Sequence, residues 1–322
     1  MKVIIAYDGS ESAREALNDL ERAGLGKNVD ATILSVAELW LPPPSTSLGI
    51  DEPFPPYTPP EVRGAYVAAS QAIEKIRTMA TEASALVQAA FPSWKVTTEV
   101  YAGSPAWEII KQADESQSDL IVVGSHGRTA LGRFFLGSVS QKILTEARCS
   151  IRVGRRPSAG AAPVKVLLVG VDGSPGSDAA VHELTKREWP SGIQVHVVTV
   201  VDPSVPLAFG SLNAEVTKWV GENEEGEQHW SRKMVEASAG HLRQAGLEAH
   251  AEVKEGEAKK ALLDEAKRLR ADCIFVGATG FSNRLERFLL GSVSAAVANR
   301  AECSVEVVRS KAVLKPRTQG SV

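Results

Sequence analysis

The chain has 322 residues, a formal net charge of −3, 43% apolar residues and 23% charged residues. The length favours about two domains, and the composition is that of a folded globular protein, which excludes wholesale disorder. The charge shows no global basic excess of the kind that marks a nucleic-acid binder, and the three cysteines, none in a CxxC pair, argue against a disulfide framework or a structural zinc site.

No targeting or membrane segment is expected. No apolar stretch reaches the roughly 18 residues of a transmembrane helix. The apolar run after Met1 is too short for a signal peptide and has no small-residue cleavage site. We therefore expect a cytoplasmic protein with neither a membrane nor a nucleic acid as its partner.

Short apolar strands and amphipathic helices alternate along the first half of the chain. Residues 3–7 predict a buried strand and Asp8-Gly9-Ser10 a turn, and Ser12 with Glu15 has the spacing of a capping box at a helix start. The next predicted elements, in order, are a strand over 31–37, a helix over 61–90, a strand over 95–101, a helix over 106–117, a strand over 120–123, a helix from Gly137 and a strand over 151–153.

The second half of the chain repeats the first. KVIIAYDGS (2–10) matches KVLLVGVDGS (165–174), and RFFLGSVS (133–140) matches RFLLGSVS (287–294) at seven of eight positions. Alternating β and α elements with short apolar strands predict an α/β fold: two tandem, open, doubly wound parallel sheets with helices on both faces. The predicted domains span 1–153 and 164–309, joined by a linker over 154–163 and followed by a disordered basic tail over 310–322.

A candidate binding site follows from where this fold places its loops. In an open parallel sheet, ligands bind beyond the carboxyl ends of the strands, near the switch in strand order. Glycines there let a ligand approach the backbone, a Gly-Ser helix start offers N–H groups to an anion, and an Asp can accept hydrogen bonds from a base or ribose. These features predict a nucleotide site. Its candidate residues in the first half are Asp8, Val36, Gly124, His126, Gly127, Gly137, Ser138, Val139 and Ser140.

The pattern Gly124-x2-Gly127-x9-Gly137-Ser138 after an apolar strand resembles the ATP-binding signature of the universal stress protein family. The resemblance covers nearly the whole chain, twice, so it is that of a tandem member. It implies two five-stranded sheets of order 3-2-1-4-5, with ATP and often Mg²⁺ (or Mn²⁺) lying across strands one and four. It also implies pairing of two domains through their last strands, here as a pseudo-dimer within one chain, with a further homodimer possible.

The resemblance also implies roles for individual residues. Asp8 and Val36 would face adenine, Gly124 and Gly127 would face ribose and phosphates, and the helix start at Gly137 would hold the phosphate tail through Ser138 and Ser140. No catalytic residue and no side-chain metal ligand are implied. Histidine is a common catalytic residue, but the sequence shows no Ser or Asp placed to form a catalytic triad with His126. We favour the interpretation that His126 contacts solvent or ribose.

The second half departs from the signature in its spacing. Ten residues separate Gly280 from Gly291 where the first half has nine, and Glu257 stands where the first half has Ser104. We predict that this second site binds nucleotide more weakly, or by a somewhat different loop path. Its candidate residues are Asp172, Val200, Gly277, Gly280, Gly291, Ser292, Val293 and Ser294.

Three functions remain open on the sequence alone. The leading one is an ATP-binding stress-response regulator that acts through occupancy and partner contacts. The second is an enzyme, either a slow ATPase or a self-phosphorylating protein on the same site, or one of a related nucleotide-binding fold; no Walker A sequence is present. The third is a nucleotide-free dimerisation module. The proline-rich segment 41–60 is either a lid over the first site or a surface insertion.

Overall fold

The structure is a computed structural model that describes residues 1–38, 60–127, 136–155, 164–202, 224–279 and 290–310. The proline-rich segment to residue 59, the linker from residue 156, Gly280 and the tail from residue 311 lie outside the described residues. Most of the ten residues between Gly280 and Gly291 also lie outside them.

Each half of the chain contributes five strands to one sheet. Unit one, as we call the first half, contains β1 (Lys2–Ala6), β2 (Asp30–Ala37), β3 (Lys95–Ala102), β4 (Leu120–Gly124) and β5 (Ser150–Gly154). Unit two contains β6 (Val166–Gly170), β7 (Gln194–Val201), β8 (Glu248–Glu255), β9 (Cys273–Gly277) and β10 (Ser304–Val308). The observed order is β3-β2-β1-β4-β5-β10-β9-β6-β7-β8, so both units have the predicted order 3-2-1-4-5. Every pairing within a unit is parallel, and β5 pairs with β10 antiparallel.

Helices cover both faces of the sheet. Unit one contains α1 (Glu11–Asp19), α2 (Pro60–Ala90), α3 (Pro105–Ser116) and α4 (Ser138–Glu146). Unit two contains α5 (Pro175–Thr185), α6 (Glu224–Gln244), α7 (Ala258–Leu269) and α8 (Ser292–Arg300). In the part of the chain that the structure describes, no helix is both long enough and apolar enough to span a bilayer.

The alternation of side chains along each strand builds a separate core on each face. In β1, Ile4 packs with α3 and α4, whereas Val3 and Ile5 pack with α1 and α2 on the other face. The first of these cores continues across β5 and β10 into unit two, so the two units share one hydrophobic layer. The strand β4 is buried along its whole length, as the continuous apolar run over 120–123 indicates for a strand covered on both faces.

The start of α1 differs from the sequence prediction. The N-cap is Ser10, whose hydroxyl accepts a hydrogen bond from Ala13 N at 3.2 Å, and not Ser12 of the expected capping box. Gly9, at φ +78°, turns the chain so early that Ser12 is already helical and buried. In unit two Ser174 is the N-cap of α5 and Pro175 takes the first helical position.

Candidate functional site

The loops after β1 and β4 meet at the point where the strand order switches. Strand β1 lies between β2 and β4, with Val3 opposite Leu120 and Ile5 opposite Val122. From β1 the chain proceeds to β2 and β3 on one side, and later to β4 and β5 on the other. In open sheets of this topology the binding crevice lies at this point, between the loops of β1 and β4 at the carboxyl ends of the strands.

The turn after β1 holds Asp8 at this crevice. One carboxylate oxygen, Oδ1, accepts a hydrogen bond from Ser10 N at 2.9 Å, and the side chain is partly exposed. Met79 of α2 packs against Gly9 so closely that a Cβ there would lie 2.2 Å from its sulfur atom. The contact with α2 thus fixes the turn and keeps Asp8 near the carboxyl ends of the strands.

The first glycine of the signature is required by helix packing. A Cβ on Gly124 would lie 2.6 Å from Ser12 Oγ and 2.7 Å from its carbonyl carbon. Because α1 crosses directly over the end of β4, only glycine fits there. The sequence prediction assigned Gly124 a contact with ribose. The packing of α1 against β4 by itself accounts for the absence of a side chain at this position.

The second and third glycines bring the loop, Asp8 and the start of α4 together. A Cβ on Gly127 would lie 3.4 Å from Asp8 Oδ2, and a Cβ on Gly137 would lie 3.2 Å from His126 Cα and 3.3 Å from Gly127 N. Gly137 N also donates to Ser125 O at 2.8 Å, which joins the start of α4 to the end of β4. Asp8, His126, Gly127 and Gly137 are thus neighbours, and a side chain on either glycine would fill the space between them.

The N-terminus of α4 faces the same crevice. Its N-cap is Gly137, which has no side chain to accept hydrogen bonds from the first-turn N–H groups. Ser138 is exposed, whereas Ser140 is buried and its hydroxyl donates to Gly124 O at 2.8 Å. The hydroxyl of Ser140 therefore ties α4 to β4, and an anion at this site would meet backbone N–H groups, the hydroxyl of Ser138 and the positive end of the helix dipole.

The remaining predicted residues of unit one line the surroundings of the crevice. Val36, near the end of β2, and Val139, in the first turn of α4, are partly buried and pack against the core shared by both units. The imidazole Nδ1 of His126 lies 2.8 Å from Ser125 Oγ, a contact between sequence neighbours. Among the described contacts, Asp8 is the only acid brought to this loop, where it lies beside Gly127. The interpretation that His126 lines the site and belongs to no catalytic triad stays a prediction.

Unit two repeats much of this geometry. Asp172 Oδ1 accepts from Ser174 N at 2.9 Å, Gly291 is the N-cap of α8 with Ser292 exposed, and Gly291 N donates to Ala278 O at 2.7 Å. Ser294 is buried and donates to Gly277 O, as its counterpart does in unit one. Val200 and Val293 are partly buried against the shared core.

Two differences distinguish the second site. Gly176 replaces Ser12, and a Cβ on Gly277 would lie 2.3 Å from the carbonyl carbon of Gly176, so α5 packs on β9 by backbone alone. Asp178 stands where unit one has Arg14. Desolvation and the nearby charge of Asp172 raise the pKa of Asp178. The helix that borders this site therefore has a carboxyl group where unit one has a guanidinium group.

Sequence reasoning missed Ser12 as a residue of the site. Its hydroxyl donates to His126 O and accepts from His126 N at 3.2 Å, which holds the loop that carries Gly127. The signal was present in the repeat, since Ser12 aligns with Gly176 and both positions require a small residue. Within the described ranges, no group of three His, Cys, Asp or Glu side chains is placed to hold a metal ion.

Comparison with known proteins decides the family. The universal stress protein family matches the chain twice, over residues 1–154 and 163–309. The chain belongs to the universal stress protein family. Because the family matches twice in succession, this is a tandem member.

The relatives of this universal stress protein include tandem proteins of similar length. It is 26% identical over 313 residues to a universal stress protein of Mycobacterium tuberculosis, covering 95% of this chain and 94% of that one. It is 31% identical over 218 residues to one of Mycolicibacterium smegmatis, covering 67% and 69% of the two chains. Among solved structures, a universal stress protein from Archaeoglobus fulgidus shares the fold with a TM-score of 0.64 at 20% identity, covering 96% and 98%.

Proposed function

We propose that this universal stress protein is a stress-response regulator that binds ATP together with Mg²⁺ (or Mn²⁺) and acts through occupancy. Unit one is the principal site and unit two binds more weakly. A bound nucleotide would shift the conformation of the loops at the strand ends. It would thereby change the surface that a protein partner contacts. Fast turnover is not part of this function.

One observation carries the proposal: Asp8, Gly127 and Gly137 converge at the N-terminus of α4. The glycines leave a cradle that a Cβ would fill, 3.2 Å from His126 Cα at Gly137 and 3.4 Å from Asp8 Oδ2 at Gly127. The first-turn N–H groups of α4 and the hydroxyl of Ser138 suit a phosphate chain. Asp8 and Val36 then suit the adenine or ribose on the other side of the crevice.

The cation would be held mainly by the nucleotide. Asp8 Oδ2 lies 3.4 Å from a Cβ on Gly127, and no cluster of three possible ligands occurs among the described residues. Mg²⁺ commonly binds through phosphates with one carboxylate or none. The cation supplies charge neutralisation, while the chain orients the phosphates through backbone N–H groups.

Local charge supports weaker binding in unit two. Asp178 replaces Arg14 beside the site. Glu257, whose side chain is exposed and makes no capping hydrogen bond, is the N-cap residue of α7. Both carboxylates make the local potential less favourable for phosphates. The sequence also has one more residue between Gly280 and Gly291 than unit one has between Gly127 and Gly137.

A slow ATPase or a self-phosphorylating protein is the second candidate. The observation that favours a single acceptor is the contrast between Ser138, which is exposed, and Ser140, whose hydroxyl donates to Gly124 O. Phosphorylation would therefore fall on Ser138. Phosphate release well above about 1 per second would support an enzyme, and phosphate found on Ser138 after incubation with ATP would support self-phosphorylation.

Native mass spectrometry of freshly purified protein tests the function directly. Mass shifts that match one ATP per chain, with a second at higher concentration, are the expected result. Release and identification of the bound molecule would separate ATP from other adenine nucleotides. A mass that stays unshifted after addition of ATP and Mg²⁺ would contradict the proposal and favour a nucleotide-free dimerisation module.

A pair of matched variants identifies the site. Gly137→Val should abolish tight binding, because its side chain would crowd His126 and Gly127 and block the phosphate approach. Gly291→Val should leave the tight site intact and remove only the weaker one. Gly64→Val, in α2 where a Cβ meets no atom within 4 Å, is the control and should bind as the wild type does.

We also propose that the two units act as a pseudo-dimer in solution and that the protein works in the cytoplasm. The antiparallel pairing of β5 with β10 supports the first statement. Cys149, Cys273 and Cys303 are buried and form no disulfide with one another, which suits a reducing compartment. Small-angle scattering of the purified chain and fractionation of cells test the two statements.

A further inference from the structure

The contact between the two units is centred on a residue and its own counterpart. In the antiparallel pairing of β5 with β10, Arg152 lies opposite Glu306, flanked by Val153–Val305 and Ile151–Val307. The repeat aligns SIRVGR (150–155) with SVEVVR (304–309), so Arg152 and Glu306 occupy equivalent positions in the two units. The pseudo-twofold axis that relates the units therefore passes through this pair.

This pair is the centre of a buried chain of alternating charges. Arg152 and Glu306 are both 0% exposed, and Arg152 Nη1 lies 3.2 Å from Glu306 Oε2. Arg152 Nε also donates to Asp19 Oδ2 at 2.7 Å. On the other side Arg187 donates to Glu306 and, at 2.9 Å, to Glu183. The signs thus alternate from Glu183 to Asp19, and the chain crosses from one unit to the other at Arg152–Glu306.

One pair of contacts between the units is symmetric and does not distinguish one unit from the other. Arg155 donates to Ala298 O, and its counterpart Arg309 donates to Leu144 O at 2.7 Å. These bonds are related by the same axis and would form between two copies of either unit. At the axis itself the two units differ in charge, because unit one has Arg152 where unit two has Glu306.

Pairing of like units would therefore bury like charges. In a β5–β5 contact of the same register, Arg152 would face a second Arg152, and in a β10–β10 contact Glu306 would face a second Glu306. Like charges in contact at a desolvated interface are strongly unfavourable. In the observed contact Arg152 lies between the carboxylates of Asp19 and Glu306. Arg187 lies between those of Glu306 and Glu183.

We propose that Arg152 and Glu306 select the partner of each unit: β5 accepts the unlike unit through β10 and rejects a second copy of its own unit. The surface involved is the edge of the sheet that β5 or β10 would expose if its unit were unpaired. The partner of this surface is the other unit of this chain. This inference is independent of nucleotide binding.

Charge reversal in the full-length chain tests the selection. Arg152→Glu and Glu306→Arg should each lower the thermal midpoint by about 5–15 °C, because each leaves like charges buried at the contact. The double variant R152E/E306R should recover part of this loss, since opposite charges face each other again. Recovery is partial because Asp19 and Arg187 then flank the wrong partners.

Mixing the two single variants adds a test of partner choice. Arg152→Glu chains carry glutamate at both positions and Glu306→Arg chains carry arginine at both, so an equal mixture should form a species close to twice the 34.3 kDa of one chain, with one chain of each kind. Native mass spectrometry detects it. A mixture of two folded variants that contains only single chains would overturn the proposal, as would a double variant no more stable than the less stable single variant.

Milder changes keep the test decisive if a reversed variant does not fold. Arg152→Gln, Glu306→Gln and their combination form a double-mutant cycle, and the combination should be more stable than the sum of the single losses predicts. Additive losses would contradict the proposal. Glu302→Arg makes the same charge reversal at an exposed site paired with Lys267 and should leave the thermal midpoint unchanged.

Discussion

The hydroxyl of Ser12 in α1 bridges the backbone of His126 beyond β4, donating to its carbonyl oxygen and accepting from its N–H at 3.2 Å. The two residues are 114 positions apart, so the bridge forms only when the sheet is assembled. It fixes the loop that leads into Gly127 and hence one wall of the proposed nucleotide site. Unit two has Gly176 at this position, and the equivalent loop carbonyl, Thr279 O, accepts a hydrogen bond from the hydroxyl of Ser174 at 3.5 Å instead.

Ser12→Ala should weaken nucleotide binding in unit one without unfolding it. The variant removes both hydrogen bonds to His126, and a net loss of about 1 kcal/mol corresponds to a fall in affinity of about fivefold. Calorimetric titration with ATP and Mg²⁺ measures it. Ser116→Ala removes an exposed hydroxyl that bonds within α3 and is the control. Equal affinities for the two variants would mean that the bridge does not support the site.

Gly124→Ala should destabilise unit one. Its Cβ would lie 2.6 Å from Ser12 Oγ and 2.7 Å from the Ser12 carbonyl carbon, so α1 would have to move away from β4. Overpacking of this kind costs about 1–3 kcal/mol. Chemical denaturation followed by circular dichroism measures the loss. Gly64→Ala, where a Cβ meets no atom within 4 Å, should instead be neutral or stabilising; similar losses in both variants would contradict the packing argument.

Asp178→Arg should strengthen binding in unit two. The change replaces a carboxylate beside Asp172 by the charge that Arg14 supplies in unit one. We expect a gain of about two- to fivefold in affinity for the weaker site, and the gain should shrink at high salt because exposed charges are screened. The reciprocal Arg14→Asp should weaken the tighter site. Asp264→Arg, in the middle of α7, is the matched reversal that should change neither.

Glu252 should make a pH-dependent contribution to stability. Burial alone would raise its pKa, but hydrogen bonds from Lys254 and His196 lower the pKa to about 2 from an ordinary 4.5. A carboxyl whose pKa is lower in the folded state stabilises the protein above its unfolded pKa and loses that contribution as the pH falls toward the folded value. Wild type should therefore be more stable than Glu252→Gln at pH 6, and the difference should diminish between pH 4.5 and about 2.

Thermal unfolding over this pH range measures the effect of Glu252. The side chain is partly exposed, so the difference at pH 6 should be about 1 kcal/mol or less. Glu248→Gln alters an exposed pair with His250 and should show no such dependence. A difference between wild type and Glu252→Gln that stays constant from pH 6 to pH 2 would contradict the assigned hydrogen bonds.

Much of the fold and part of the site could be predicted from local patterns. Apolar runs such as 120–123 identify strands buried on both faces, and the repeated glycine pattern identifies the loops at their ends. The helix start at Gly137 was predicted correctly. The N-cap of α1 was not, because the left-handed turn at Gly9 starts the helix earlier than the capping-box spacing of Ser12 and Glu15 suggests.

The sequence by itself determined that two copies of one α/β unit follow each other and that each carries a glycine-rich loop after its fourth strand, because period-two and helical patterns are local properties of the chain. Only the tertiary structure decided what the side chains at these positions do. Gly124 is glycine because α1 crosses β4, and Ser140 is tied to Gly124 O. Arg152 meets Glu306 because antiparallel pairing places each residue opposite its counterpart, a relation between positions 154 apart that no local pattern contains.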